Sequence, residues 1–119
     1  MDIREELKAV YEVADKYLEA GRTGDIGLMK EVFHDDAAIY GHFEGEVLGG
    51  PISLLYEWME SFGAAKDIEG VILSVDVVGT IASVKVQADN WCGYNFTDFL
   101  NLLKTDQGWV IINKLFNHT

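Results

Sequence analysis

Ile3, Leu7, Val10, Tyr11, Ala14, Tyr17 and Leu18 return at three- and four-residue intervals, which predicts an amphipathic helix with a single apolar stripe. Asp2 and Glu5 have the spacing of a capping box, and Asp2, Glu5 and Glu6 suit the positive end of the helix dipole. Gly21 is the expected left-handed stop. A short second helix is expected in "GDIGLMKEVF", with Asp25 as N-cap and Leu28, Met29, Val32 and Phe33 turned inward. The third is bracketed by Gly50 as cap, Pro51 at the first helical position and Gly63 past its end. Ile52, Leu55, Trp58, Met59 and Phe62 form its apolar face.

Between the second and third helices, "AAIYGHFEGEVLGG" reads as two short strands around Glu44 and Gly45. From Ile68 onward the period changes to two. The runs "IEGVILSVDVV", "IASVKVQADNWC", "FTDFLNLLK" and "WVIINKLF" are separated by "GT", "GYN" and "TDQG", turns too short for anything but antiparallel neighbours. Three N-terminal helices followed by an antiparallel meander make an α+β fold, with the helices packed on one face of a curved sheet. In "WVIIN", Trp109 and Ile111 point one way and Val110 and Ile112 the other, so both sheet faces are apolar. One face can take the helices. The other needs a cover, and pairing with a second copy through the sheet is the expected one.

Composition narrows the partners. The chain has 119 residues and no linker or repeat, which implies one domain over residues 1–119. Nine basic residues against twenty acidic ones give a formal charge of −11, which argues against nucleic acid and against anionic membranes. The single cysteine, Cys92, excludes an internal disulfide and fits a reducing compartment. "MDIREELK" lacks the layout of a signal peptide and no apolar run reaches membrane-spanning length, so a cytoplasmic protein is expected. No phosphate-binding, dinucleotide or nucleophile-elbow motif is present, and no cofactor is expected.

The succession "GDIGLMKEVFHDDAAIYG", "GGPISLLYEWMESF", "VGTIASVKVQADNW" and "FTDFLNLLKTDQGWVIINKLF" resembles the nuclear transport factor 2-like superfamily, in particular the groups named Putative lumazine-binding and SnoaL-like. The resemblance spans nearly the whole chain. Its most specific part is Asp98–Leu100 followed by Lys104, Trp109 and Lys114. It implies a cone-shaped, cystatin-like fold enclosing a pocket, and a homodimer formed through the sheet. The superfamily includes isomerases, dehydratases, cyclases and non-catalytic binders, so the fold does not assign an activity.

A pocket between helices and sheet directs attention to Asp98, Tyr40 and His42 as candidate catalytic groups, and to Trp58, Trp91 and Tyr94 as candidate ligand contacts. Asp98 shares a strand face with Phe96, Leu100 and Leu102. Facing inward, it could move a proton or donate a hydrogen bond to an oxyanion, as acids do in the isomerases that the resemblance brings in. Facing outward beside the "GYN" turn, it is merely solvated. Tyr40 and His42 alternate onto one face and could supply a donor and a base, or His42 could decorate the turn. Trp58, Trp91 and Tyr94 could stack on a flat ligand or fill the core. His34 is expected to bond a helix-end carbonyl, and His118 is given no role. The spacing of His34, His42 and Cys92 does not suggest a metal site. Three functions stay open: a small-molecule-binding domain, a proton-transfer enzyme of the isomerase or dehydratase kind using Asp98, and a dimerisation module with a filled interior.

Overall fold

Helix α1 (Ile3–Thr23) follows the apolar stripe, burying Val10, Ala14, Tyr17 and Leu18. Asp2 caps it by accepting the Arg4 N–H at 2.9 Å. These elements belong to the computed structural model, which describes residues 2–118. The helix does not stop at Gly21. It runs to Thr23, and Gly24 takes the left-handed conformation (φ 71°). Gly21 is glycine for a different reason: a Cβ there would lie 2.7 Å from Cζ2 of Trp91.

Helix α2 (Ile26–Val32) starts as expected, with Asp25 accepting the Leu28 N–H at 3.0 Å. Helix α3 (Ser53–Phe62) starts two residues later than expected. Pro51 ends a strand, paired with Ala38, and Ile52 rather than Gly50 occupies the cap position. Gly63 closes α3, its N–H bonding the Met59 carbonyl at 2.8 Å.

The strands are β1 (Phe33–Phe43), β2 (Glu46–Pro51), β3 (Glu69–Val78), β4 (Ile81–Trp91), β5 (Tyr94–Thr105) and β6 (Gly108–His118). They form one open, curved sheet in the order β2-β1-β6-β5-β4-β3. Four of the five pairings are antiparallel. The exception is β1 against β6, which is parallel and joins the first strand to the last. Short turns could not predict it, because nothing local connects the two strands.

Bulges set which side chains face the helices, among them one in β4 between Ala88 and Trp91 that brings Trp91 to the buried face. In β6, Ile112 is the extra residue: Ile111 pairs with Leu102, but Asn113 pairs with Asn101. The phase reverses there, so Lys114 joins Trp109 and Ile111 on the buried face instead of following Val110 outward. Leu73 plays the same part in β3. The concave face then carries Val84, Val86 and Ala88 of β4 and Phe96, Asp98, Leu100 and Leu102 of β5, all buried. The convex face keeps large apolar groups in the open, among them Tyr40, Phe99 and Leu115. Glu6 ties α1 to the sheet, accepting from Lys104 Nζ at 2.6 Å and from Trp109 Nε1 at 2.7 Å. No helix among the described residues is long and apolar enough to cross a membrane.

Candidate functional site

Asp98 lies five positions into β5 and opposite Val86 and Phe116, so its carboxyl group points to the concave face and is fully buried. Tyr17 Oη donates to Asp98 Oδ2 at 2.6 Å. Lys114 Nζ stands 3.9 Å from the same oxygen. The ammonium nitrogen also sits 5.2 Å from the ring centres of Tyr17 and Trp91 and 5.6 Å from that of Phe116, within reach of cation–π attraction.

Burial dominates the electrostatics. It pushes Asp98 above the ordinary carboxyl range, against the lowering pull of Lys114 and of the Tyr17 hydroxyl. It pushes Lys114 below the ordinary lysine range, with Asp98 opposing. Tyr17 rises well above the usual phenol value, first from burial and then from the Asp98 charge. The carboxyl and amine are therefore drawn toward each other on the pH scale, which eases proton exchange between them.

In front of Lys114 opens a cavity of about 410 Å³. Its walls are apolar: Phe43 from β1, Leu48 from β2, Leu55 and Trp58 from α3, Phe96 from β5 and Phe116 from β6. Trp91 forms another part of the wall, and Lys114 is the one charged residue lining it. Asp98 and Tyr17 stand behind the lysine, not in the wall. Two buried polar atoms have no hydrogen-bond partner among the described residues, Asp98 Oδ1 and Trp91 Nε1. A second depression, of about 380 Å³ between α1 and β3, is edged by Asp15, Lys16, Glu19 and Arg22 and holds none of this buried chemistry.

A family model described as Putative lumazine-binding matches residues 5–117. The chain belongs to this family. Aldolase FrzH of Cladobotryum sp. is 34% identical over 113 residues, spanning 94% of this chain and 90% of that protein. Among solved structures, an NTF2-like protein of unknown function from Methylobacillus flagellatus KT superposes with a TM-score of 0.91 at 37% identity, covering 97% of this chain and 93% of that one. Another, from Silicibacter pomeroyi DSS-3, gives 0.92 at 31% identity and covers both chains completely. The fold is thus the nuclear transport factor 2-like one.

In this Putative lumazine-binding domain the expected site residues separate into two groups. Trp58 and Trp91 line the cavity, their rings 5.9 Å apart and edge-on. Tyr94 does not line it; it packs edge-on against Phe43 at 4.9 Å. Tyr40 and His42 do share a face, but the outer one. They pair with Leu115 and Asn117, while Ile39, Gly41 and Phe43 turn inward. Both are exposed and neither reaches Asp98. His34 accepts the Asp36 N–H at Nδ1 (3.0 Å) rather than bonding a helix-end carbonyl. His118 ends β6 beside Phe43 and Tyr94.

Tyr17 and Lys114 are the site residues that periodicity alone passed over. The signal for Tyr17 was a phenol in a buried aliphatic stripe, where its hydroxyl needs a partner. The signal for Lys114 was weaker, since strict alternation turns it outward.

Proposed function

We propose that the protein binds a small, flat, largely apolar molecule bearing a carbonyl or similar oxygen, with its rings against Trp58 and Trp91 and its oxygen on Lys114. The observation that carries this reading is a single cation in an otherwise aromatic and aliphatic wall. Such a site rewards an apolar body with one electron-rich atom. The family's name speaks of lumazine, a flat bicyclic heterocycle that shares the planar rings and the carbonyl oxygen but carries more polar atoms than this wall has partners for. A cavity of about 410 Å³ speaks against a pure association module with a filled interior.

The test is native mass spectrometry of freshly purified protein for a retained compound, followed by titration with lumazine and with 2-naphthaldehyde. Quenching of tryptophan emission that saturates, and that Trp58→Ala weakens at least about tenfold, is the expected result. No saturable change with either probe would overturn the reading.

A second reading makes the protein an enzyme that moves a proton at carbon beside a carbonyl group. The buried Tyr17–Asp98–Lys114 cluster favours it, as does a relative named an aldolase, since aldol chemistry begins with loss of such a proton. Lys114 would stabilise the enolate oxygen, and Asp98 would accept the proton through the lysine it backs. Deuterium exchange into the methyl group of 2-acetonaphthone is the assay. Acceleration by the wild type and loss in Asp98→Asn are expected; exchange at the buffer rate in the wild type would discard the enzyme reading. Pairing of two copies through the convex face belongs to the same proposal, because that face leaves apolar side chains uncovered.

A further inference from the structure

Resting on the reading of the cavity as a carbonyl-ligand site, we infer that Lys114 condenses with the carbonyl group of an aldehyde or ketone held there and keeps it as a protonated imine. The protein has seven lysines. Lys8, Lys16, Lys30 and Lys66 are exposed, Lys85 and Lys104 are half-buried, and Lys114 alone is buried. It is also the only lysine in the cavity wall. A nucleophilic amine there meets a ligand's carbonyl carbon without competition from bulk water.

The surroundings suit the product as well as the reactant. A protonated imine carries its positive charge on the same nitrogen as the ammonium it replaces. The rings of Tyr17, Trp91 and Phe116 and the Asp98 carboxylate that face the ammonium therefore face the iminium too. Burial adds to this by weakening the hold of Lys114 on its third proton, which raises the fraction of free amine at neutral pH.

The protons balance within the cluster. Asp98, 3.9 Å away, takes one proton from the ammonium and frees the lone pair that forms the C–N bond. The C=O π pair moves to oxygen, which takes two protons in turn from nitrogen as Asp98, behind the lysine, returns its own proton to that nitrogen. Water leaves as the remaining nitrogen pair closes the C=N bond, and the third proton stays on the iminium. The oxygen nearest the ammonium is Oδ2, which also accepts the Tyr17 hydroxyl, and Oδ1 has no partner among the described residues.

The experiment uses the full chain, one equivalent of 2-naphthaldehyde at neutral pH and borohydride to trap any imine, with 2-naphthalenemethanol as a probe of the same shape that lacks the carbonyl. Peptide mapping should find the naphthylmethyl group on Lys114 in about tenfold excess over each exposed lysine, because the cavity holds the carbonyl against that one amine. Lys114→Met and Lys114→Arg should lose that adduct and keep the background on the surface. Thermal melts report whether the variants fold, and the wild-type map decides the matter even where they do not. If both probes quench tryptophan emission but the label is absent or evenly spread, the imine is wrong and the binding site stands. If neither probe binds, the imine falls together with the ligand reading.

Discussion

Tyr17 Oη and Asp98 Oδ2, 81 positions apart in the chain, meet at 2.6 Å in the buried interior and pin α1 to the middle of the sheet. The tyrosine ring also packs against Trp91 (5.5 Å) and edge-on against Phe33 (6.0 Å), so ring and hydroxyl have separable jobs. Tyr17→Phe keeps the first and removes the second. Asp98 then loses its one short hydrogen bond, and a bond to a charged or partly charged acceptor is worth roughly 1–3 kcal/mol. Urea unfolding should show a lower midpoint with an unchanged slope. An unaltered midpoint would mean that the hydroxyl contributes nothing.

Removing the lysine should expose the titration of the aspartate. In Lys114→Met, Asp98 loses the charge that pulls its pKa down, and burial raises it further. A folded pKa above the ordinary 3.8 means that the native state holds the proton more tightly than the unfolded chain. That contribution is complete below the unfolded value and is lost as pH rises through the folded one. The melting temperature of Lys114→Met should therefore fall, relative to the Lys114→Met/Asp98→Asn double variant, as pH rises from 3.8 through the raised folded value. Parallel curves for the two variants would show that Asp98 does not titrate in that window.

The sequence disclosed the three helices and the strand succession because each rests on local periodicity, caps and turn residues. It did not disclose the parallel β1–β6 contact, which no turn encodes, nor the Ile112 bulge, which depends on how β6 registers against β5. These two long-range features decide the site. The bulge turns Lys114 inward, and the outward phase of β1 carries Tyr40 and His42 away from Asp98. Gly21 misled for a related reason: a glycine can end a helix or admit a neighbour, and only tertiary contact with Trp91 separates the two. For Asp98 the alternation placed it on one strand face with Phe96, Leu100 and Leu102 but left that face inward or outward; the structure buries all four.

Gly21→Ala sets two effects against each other. Alanine inside a helix is favoured over glycine by about 1 kcal/mol. The new Cβ, however, would lie 2.7 Å from Trp91 Cζ2, and forcing an extra methyl into a packed core costs about 1–3 kcal/mol. The collision should win, because Trp91 is itself fixed between Tyr17 and Trp58. A lower melting temperature is expected, with weaker quenching by 2-naphthaldehyde, since the displaced ring is part of the cavity wall. A variant more stable than wild type would mean that Trp91 yields freely.

The convex face carries an in-register row: Tyr40 beside Leu115, Leu115 beside Phe99, and Phe99 beside Lys85. The first three are exposed apolar or aromatic groups, at 51%, 51% and 47% of their full accessibility. In a two-fold dimer each such group meets its own copy or a neighbour's, and a stable interface of this kind buries about 1,600 Å² in total. Leu115→Glu would put two carboxylates, one from each copy, into that contact, where neither finds a counter-charge on the row except Lys85. Buried unpaired charge costs several kcal/mol per ion, more than the loss of two leucine contacts. Light scattering coupled to size exclusion should give twice the chain mass for the wild type and the single-chain mass for Leu115→Glu. The same variant should keep its helical circular dichroism, because Leu115 lies on the side of the sheet away from the helices. A wild type that stays monomeric at high concentration, or a Leu115→Glu variant that stays dimeric, would remove this face as the interface.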